Sequence, residues 1–394
     1  MLSRYFGKFL AIIKRDGFFA GITSVFRMFF VLIKKPKSGD ILFVSSGAVG
    51  DSWRYRVKNV SEELKLYGIL SSIVIQENFW LSDLVDKYKV FIFHRVQKTG
   101  KISKLIEKIK EQGKEIIFET DDLVFNLKDI KDQDFFINAN ALEKEFYENG
   151  VGAEIFFDLY VKTCTTTTAF LAEKMRESGK QVFIVPNKLS DEDLETAEKI
   201  NSKKVTKKTN ENFRIGYFSG THSHNKDFST IVGALMRIME KYENVELVLA
   251  GPLDIENQLN KFSERIRQLP FVSRKKHFKN IASIDINLAP LEIGNPFCEG
   301  KSELKFFEAG VVKVPTVAAA TKTFSDAIAD GIDGFVAKNE EEWFAKIEKL
   351  ILDENFRKEM GEKAYETALQ KYSVKNSNNE EYYSYLKLKI HPVK

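Results

Sequence analysis

Residues 213 to 251 read FRIGYFSGTHSHNKDFSTIVGALMRIMEKYENVELVLAG, and they constrain the fold more than any other stretch. Phe213 to Phe218 alternate as a strand does, and Ser219, Gly220 and Thr221 make a tight polar turn. From Asp227 to Tyr242 apolar residues recur at helical spacing: Phe228, Ile231, Val232, Leu235, Ile238, Met239. Val245 to Ala250 is a second apolar strand, closed by Gly251-Pro252. Strand, loop, helix and strand, with glycine at the first turn, form a unit of open α/β sheet, and that turn is where such sheets bind phosphate. No full GxGxxG is present, so the unit alone names no ligand.

A second stretch, Asn295 to Ala318 (NPFCEGKSELKFFEAGVVKVPTVA), has a related form. Gly300, Lys301 and Ser302 are expected to open a helix, whose N-terminal amides can meet a phosphate. A tight link from Val312 to Pro315 then feeds a short apolar strand. Lys301, Lys305 and Glu308 stand at i, i+4 and i+7, which predicts one shared helix face, while Leu304, Phe307 and Val311 fall on another that can bury. Such a stripe can meet a diphosphate while Glu308 accepts hydrogen bonds from a ribose. On periodicity alone, an ordinary amphipathic helix with a solvated charged face is the better reading.

Strand-like runs in the first half are Ile41 to Ser46, Ser72 to Gln76, Val90 to His94, Glu115 to Glu119 and Val182 to Pro186. Helix-period segments lie between them, at 54–67, 101–112 and 169–178. Alternation of this kind predicts parallel sheets with helices on both faces. The expected division is a first domain over 39–200, a polar aperiodic linker and hinge over 201–212, a second domain over 213–372, and a helical tail over 373–394. A chain of 394 residues suits two such domains.

Together the two stretches resemble the C-terminal half of group 1 nucleotide-sugar glycosyltransferases, and within them a bacterial surface-polysaccharide branch. That branch carries a GTxTHxxD-like loop, read here in Gly220-Thr221-His222-Ser223-His224-Asn225-Lys226-Asp227, and a KSxxKFxE-like helix, read here from Lys301 to Glu308. The likeness runs from Phe213 to about Tyr372 and is looser in the first half. It implies a GT-B fold: two Rossmann-like domains facing a cleft, with the tail helix crossing back to the first. It also implies a nucleotide-sugar donor, a glycan or lipid-linked acceptor, retention of anomeric configuration, and no metal ion or other cofactor.

The resemblance puts a phosphate-contacting lysine at Lys226, with Gly300, Lys301, Ser302 and Lys305 toward the diphosphate and Glu308 on the ribose. Two family residues are missing. An arginine usual before the lysine is replaced by Thr221, whose place Thr221, His222 or His224 fills. The sugar-binding glutamate falls on Gly300, so that either Glu299 serves from a shifted loop or backbone amides do. In the first domain the strand C-termini should face the site. His94 ends one such strand, and Asp121-Asp122 follow the next, where relatives have a histidine on the donor sugar. His94, Asp121, Lys226 and Lys301 are therefore the candidates for catalysis. Asp122 is a candidate for acceptor binding, although an Asx cap on the turn is an equal reading of the pair. Asp51, Arg54 and Arg56 follow the first glycine turn and are further acceptor candidates.

Charge separates the N-terminus from the rest. Residues 1–38 hold eight Lys or Arg and one acid, a net +7 against +4 for the whole chain, which leaves −3 elsewhere. The bulk is thus mildly acidic, which argues against nucleic acid as a partner. The run Phe18 to Ile33 is short for a membrane span and carries Arg27, and no small-residue cleavage site follows. Its phenylalanines and cations suit helices lying on an anionic membrane surface, which would hold the protein at the inner face of the cell membrane; a helical arm packed on its own domain is the other reading. Two cysteines, Cys164 and Cys298, give no disulfide framework and fit a cytoplasmic setting, and the single HxH (His222, His224) has no evident third metal ligand. A sugar-nucleotide epimerase of the same fold and a non-catalytic glycan-assembly partner are the alternatives in function.

Overall fold

The computed structural model describes residues 30–125, 130–131, 134–137, 144, 152–203, 212–219, 225–251, 253 and 257–392. Two six-stranded sheets organise them. The first comprises β1 (Ile41–Ser45), β2 (Ser71–Ile75), β3 (Val90–His94), β4 (Glu115–Glu119), β5 (Thr163–Thr166) and β6 (Gln181–Ile184), in the order β2-β1-β3-β4-β5-β6. β1 runs parallel to β2 and β3, with Ile41 opposite Ser71 and Val90. The apolar run Ile41 to Val44 is fully buried, as a strand covered on both faces must be.

The second sheet comprises β7 (Phe213–Phe218), β8 (Val245–Ala250), β9 (Ile266–Leu269), β10 (Ile286–Ala289), β11 (Thr316–Ala319) and β12 (Phe335–Ala337), in the order β12-β11-β10-β7-β8-β9. Counted from β7 this is the doubly wound order 3-2-1-4-5-6 read in reverse. β7 pairs in parallel with β8 on one side and β10 on the other. The strand order therefore reverses between β7 and β10, and in the first sheet between β1 and β3. Ligands of such sheets bind beyond the carboxyl ends of those strands.

The described residues form two compact units, one of 30–120, 152–165 and 380–392, the other of the remaining residues up to Asn379. The tail helix Glu380–Ile390 belongs to the first. There Tyr383 donates to Glu63, Tyr385 lies 2.7 Å from Glu115 and 2.6 Å from Thr163, and Lys389 pairs with Glu115 at 2.8 Å.

Several elements depart from the sequence expectation. β5 (TCTT) and β9 (IRQL) lacked an apolar run and were not anticipated. The helix expected over 227–242 is two, Asn225–Ser229 and Val232–Lys241. The helix expected to open at Lys301 is also two pieces, Pro296–Glu299 and Leu304–Gly310. Asn295 caps the first of these through the Phe297 amide, with Pro296 at its start, and Gly300 ends it. Most of the linker, 204–211, and of the arm, 1–29, lies outside the described residues, as do Gly220, Thr221, His222 and His224.

Candidate functional site

Around the switch point of the second sheet, the loop after β10 and the helices beyond it gather the groups expected to hold a donor. Lys301 follows the short helix Pro296–Glu299. Its ammonium donates to Asp122 at 2.7 Å and lies 4.1 Å from the centre of the Phe297 ring. Asp122 belongs to the same unit, although it follows β4 in sequence. The side chains of Lys301 and Asp122 each keep about a fifth of their surface in solvent, so the pair is open to exchange with an incoming anion. Ser302 Oγ accepts from Asn187 Nδ2 at 3.0 Å. The Lys305 ammonium lies 5.8 Å from the centre of the Tyr217 ring on β7. Lys226 is exposed on the helix Asn225–Ser229, next to buried Asp227.

Glu308 corrects the expected charged stripe. It is buried in the helix Leu304–Gly310, and its carboxylate is already engaged by two residues of the helix Arg274–Ala282. Arg274 donates through Nη1 to one oxygen, and His277 Nε2 lies 3.1 Å from the other. Arg274 also donates through Nε to Asp193 at 3.0 Å, and Asp193 closes a capping box with Ser190. Two buried carboxylates thus share one guanidinium, an arrangement that fixes the Glu308 rotamer. Arg274, His277 and Asp193 were not named from the sequence, because their only signal is proximity in the folded chain.

Gly300 stands where the family has its sugar-binding glutamate. It is buried, and a Cβ there would sit 3.0 Å from Leu171 Cδ2, so a side chain at this position needs the Leu171 tip to shift. Glu299 does not stand in freely. Its two oxygens accept from the amides of Gly294 at 3.0 Å and Lys322 at 2.9 Å, tying the loop after β10 to the start of the helix Lys322–Ala327. Glu303, beside the Tyr372 hydroxyl, has its carboxyl pushed up by burial.

Asp227, Glu292 and Cys298 hold their donor atoms within 4.8 Å of one another. The Cys298 thiol donates to Asp227 at 3.2 Å, and so does the Glu292 amide at 3.3 Å. Burial first, and then the Asp227 carboxylate, push this thiol above its ordinary value, so Cys298 stays a thiol that donates to Asp227 at neutral pH.

In the first unit the switch point between β1 and β3 carries Ser52 and His94, with Ser52 Oγ 3.1 Å from His94 Nε2. Arg95, the next residue, takes a left-handed backbone at φ 52°. Asp51 is exposed and lies 3.9 Å from Arg54. Arg56, expected at an acceptor, is instead fully buried in the π-helical turn Arg54–Lys58 and bidentate to Glu119 at 2.8 and 3.0 Å. Its cation is spent on a carboxylate that also accepts from Thr165, which makes Arg56 part of the core.

Residues 199–367 match the family model of glycosyl transferases group 1. Among curated proteins the chain is similar to the capsular polysaccharide biosynthesis glycosyltransferase CapM of Staphylococcus aureus, 29% identical over 173 residues, which is 43% of this chain and 45% of that one. The match therefore spans under half of that relative's length. Among solved structures, Anabaena Alr3699/HepE in complex with UDP aligns over 88% of this chain and 100% of its own, at 14% identity and a TM-score of 0.58. A glycosyltransferase from Rickettsia africae ESF-5 aligns over 90% of this chain and 100% of its own, at 14% identity and a TM-score of 0.59. The fold, two parallel six-stranded α/β sheets, is that of GT-B glycosyltransferases.

Proposed function

We propose that this chain, a GT-B protein whose second half matches group 1 glycosyl transferases, transfers a sugar from a nucleotide-sugar donor to a glycan acceptor in surface-polysaccharide assembly. What carries this reading is that the loop after β10 and the helix following it bear Lys301, Ser302, Lys305 and Glu308 within the matched region, next to the reversal of strand order between β7 and β10 where such sheets take ligands. Glu308 accepts the ribose hydroxyls, held in place by Arg274 and His277. Lys301 and Lys226 face the diphosphate, whose negative charge grows as the glycosidic bond breaks, so their positive potential lowers the barrier without a metal ion. Asp122 keeps Lys301 in place until the anion arrives. His94 and Asp121 act at the sugar and acceptor, with Asp51 and Arg54 on the acceptor side. The nucleotide bound in the HepE structure is a UDP, which makes uridine donors the first to try here. Anomeric configuration is retained in this reading.

Among the described residues no helix is long and apolar enough to cross a membrane. The acceptor in this reading is lipid-linked, and the basic segment 1–38 brings the enzyme to the inner face of the cell membrane. A non-catalytic assembly partner is the second reading, favoured by the packing of Gly300 where the family has a glutamate. The test is a panel of UDP-, GDP- and dTDP-sugars offered with and without a lipid-linked acceptor. Transfer or slow hydrolysis of one donor supports the proposal. Binding with no turnover supports the assembly partner, and conversion of one free sugar nucleotide into another supports an epimerase.

A further inference from the structure

The basic segment enters the described structure at Phe30, and residues 30–35 are fastened to the loop after β2. Asn78, fully buried, donates through Nδ2 to the carbonyls of Val31 at 3.0 Å and Lys34 at 2.9 Å. The Phe79 amide donates to the Leu32 carbonyl at 3.0 Å, and the Trp80 indole to the Ile33 carbonyl at 2.7 Å. A buried asparagine saturated by two carbonyls makes this a built junction. Its outer face is apolar. Phe30 is 62% exposed, Ile33 38%, Phe79 63% and Trp80 39%. Lys34 and Lys35 are exposed beside them, and the Lys35 ammonium lies 4.5 Å from the centre of the Trp80 ring.

Exposed aromatic rings beside lysines are the composition of a surface that sits at lipid headgroup level, with rings in the acyl boundary and ammonium groups on phosphates. Charge selects an anionic lipid over a protein partner. The segment leading into the patch carries most of the +7 of residues 1–38, while the rest of the chain is −3. The patch also stands on the carboxyl edge of the first sheet. Gln76, just past β2, donates to the Ser45 carbonyl at 2.9 Å and accepts from the Gln97 amide at 3.2 Å, which joins this loop to the ends of β1 and β3 where Ser52 and His94 meet.

We propose that Phe30, Ile33, Phe79 and Trp80, with Lys34 and Lys35, form one docking face for an anionic lipid surface, shared between the arm and the folded first unit. It rests on the membrane-associated reading above and adds that the folded unit itself, through Phe79 and Trp80, touches lipid. A membrane-borne acceptor then meets the carboxyl edge of the sheet without leaving its surface.

The experiment uses the full chain and vesicles of phosphatidylcholine with or without phosphatidylglycerol. Wild type should prefer the anionic vesicles. The double variant F79A/W80A should partition about tenfold or more weakly, from the loss of two buried rings. K34E/K35E should lose most of the preference for phosphatidylglycerol. Trp80 should be quenched by brominated lipid, and W80F should remove most of that quenching, since Trp343 is buried and Trp53, partly buried, lies outside the patch. Near-wild-type circular dichroism and nucleotide binding in these variants separate a docking defect from a folding or donor-site defect. Vesicle binding unchanged in F79A/W80A, or absent in wild type, overturns the docking face and leaves the donor site standing. Concentration-dependent self-association without lipid, lost in F79A/W80A, would make a second copy the occupant and also overturn it.

Discussion

Glu308 is held by a guanidinium and an imidazole before any ligand arrives, and Arg274 in turn bridges it to Asp193. Removing that cation strands two buried carboxylates. Arg274→Met should therefore cost about 3–5 kcal/mol of stability, the range for breaking a buried pair. Combining it with Glu308→Gln should recover about 1–3 kcal/mol, a coupling readable in a denaturant double-mutant cycle; strictly additive losses would show that the two side chains do not act together. The carboxylate itself was legible in the sequence, through its place in the KSELKFFE motif. Its surroundings were not, because the helix starts at Leu304 and not at Lys301, which takes Lys301 off the face, and because the carboxylate is buried against Arg274 and His277. Gly300 was legible only as an absence. Its surroundings, with Leu171 from a helix far back in the chain, need the fold. Arg56 misled for a similar reason: position after a glycine turn reads the same for a ligand contact and for a buried strut.

At the level of elements, two glycines let the helix Leu304–Gly310 approach the helix Glu354–Lys371. A Cβ on Gly310 would come within 2.7 Å of the Ala364 carbonyl, and one on Gly361 within 2.7 Å of the Lys313 carbonyl. Backbone cannot yield as a side-chain tip does. Gly310→Ala should cost about 1–3 kcal/mol, the range for overpacking, and also loosen Glu308 two residues away; a midpoint of denaturation like that of wild type would contradict the close approach. In the first unit, Asp158 ties the loop before β5 to the helix Gly100–Glu111 through Lys110 at 2.6 Å. Burial alone would raise this carboxyl, but the Lys110 hydrogen bond, the Tyr160 amide and the charges of Lys110 and Lys98 together hold it below its ordinary 3.8. A lowered native value stabilises above the unfolded value and is lost as pH falls through the native one. Asp158→Asn should thus be less stable than wild type at neutral pH, with the gap closing only below pH 3.8; a gap constant from neutral to strongly acid pH would assign the loss to something else. Strands β3, β4, β7 and β8 stand where apolar runs put them, residue for residue. β5 is different because TCTT is buried through threonine hydroxyls and methyls, a pattern that hydropathy reads as loop.

For the molecule as a whole, two doubly wound sheets follow from the alternation of strand and helix in the sequence, and their switch points say where chemistry belongs. The sequence could not give the strand orders, since sequence neighbours need not pair. The return of the tail helix to the first unit was implied by the resemblance, but the contacts it makes there through Tyr383, Tyr385 and Lys389 were not legible. The basic N-terminal segment should act apart from the donor site: removing residues 1–29, which stops short of the junction with Asn78, should weaken binding to anionic membranes and lower turnover on a membrane-bound acceptor, while turnover on a soluble acceptor analogue persists. Loss of folding on that deletion would instead make the segment part of the core. The donor site is tested most directly by calorimetric titration of nucleoside diphosphates into wild type and the Glu308→Ala, Lys301→Ala and Lys226→Ala variants. One nucleotide should bind wild type at a single site, Glu308→Ala should weaken it by about 1–3 kcal/mol, and the two lysine variants should lose turnover more than binding. If no nucleoside diphosphate binds, or if all three variants titrate and turn over as wild type does, the nucleotide-sugar site is not where Lys301 and Glu308 stand.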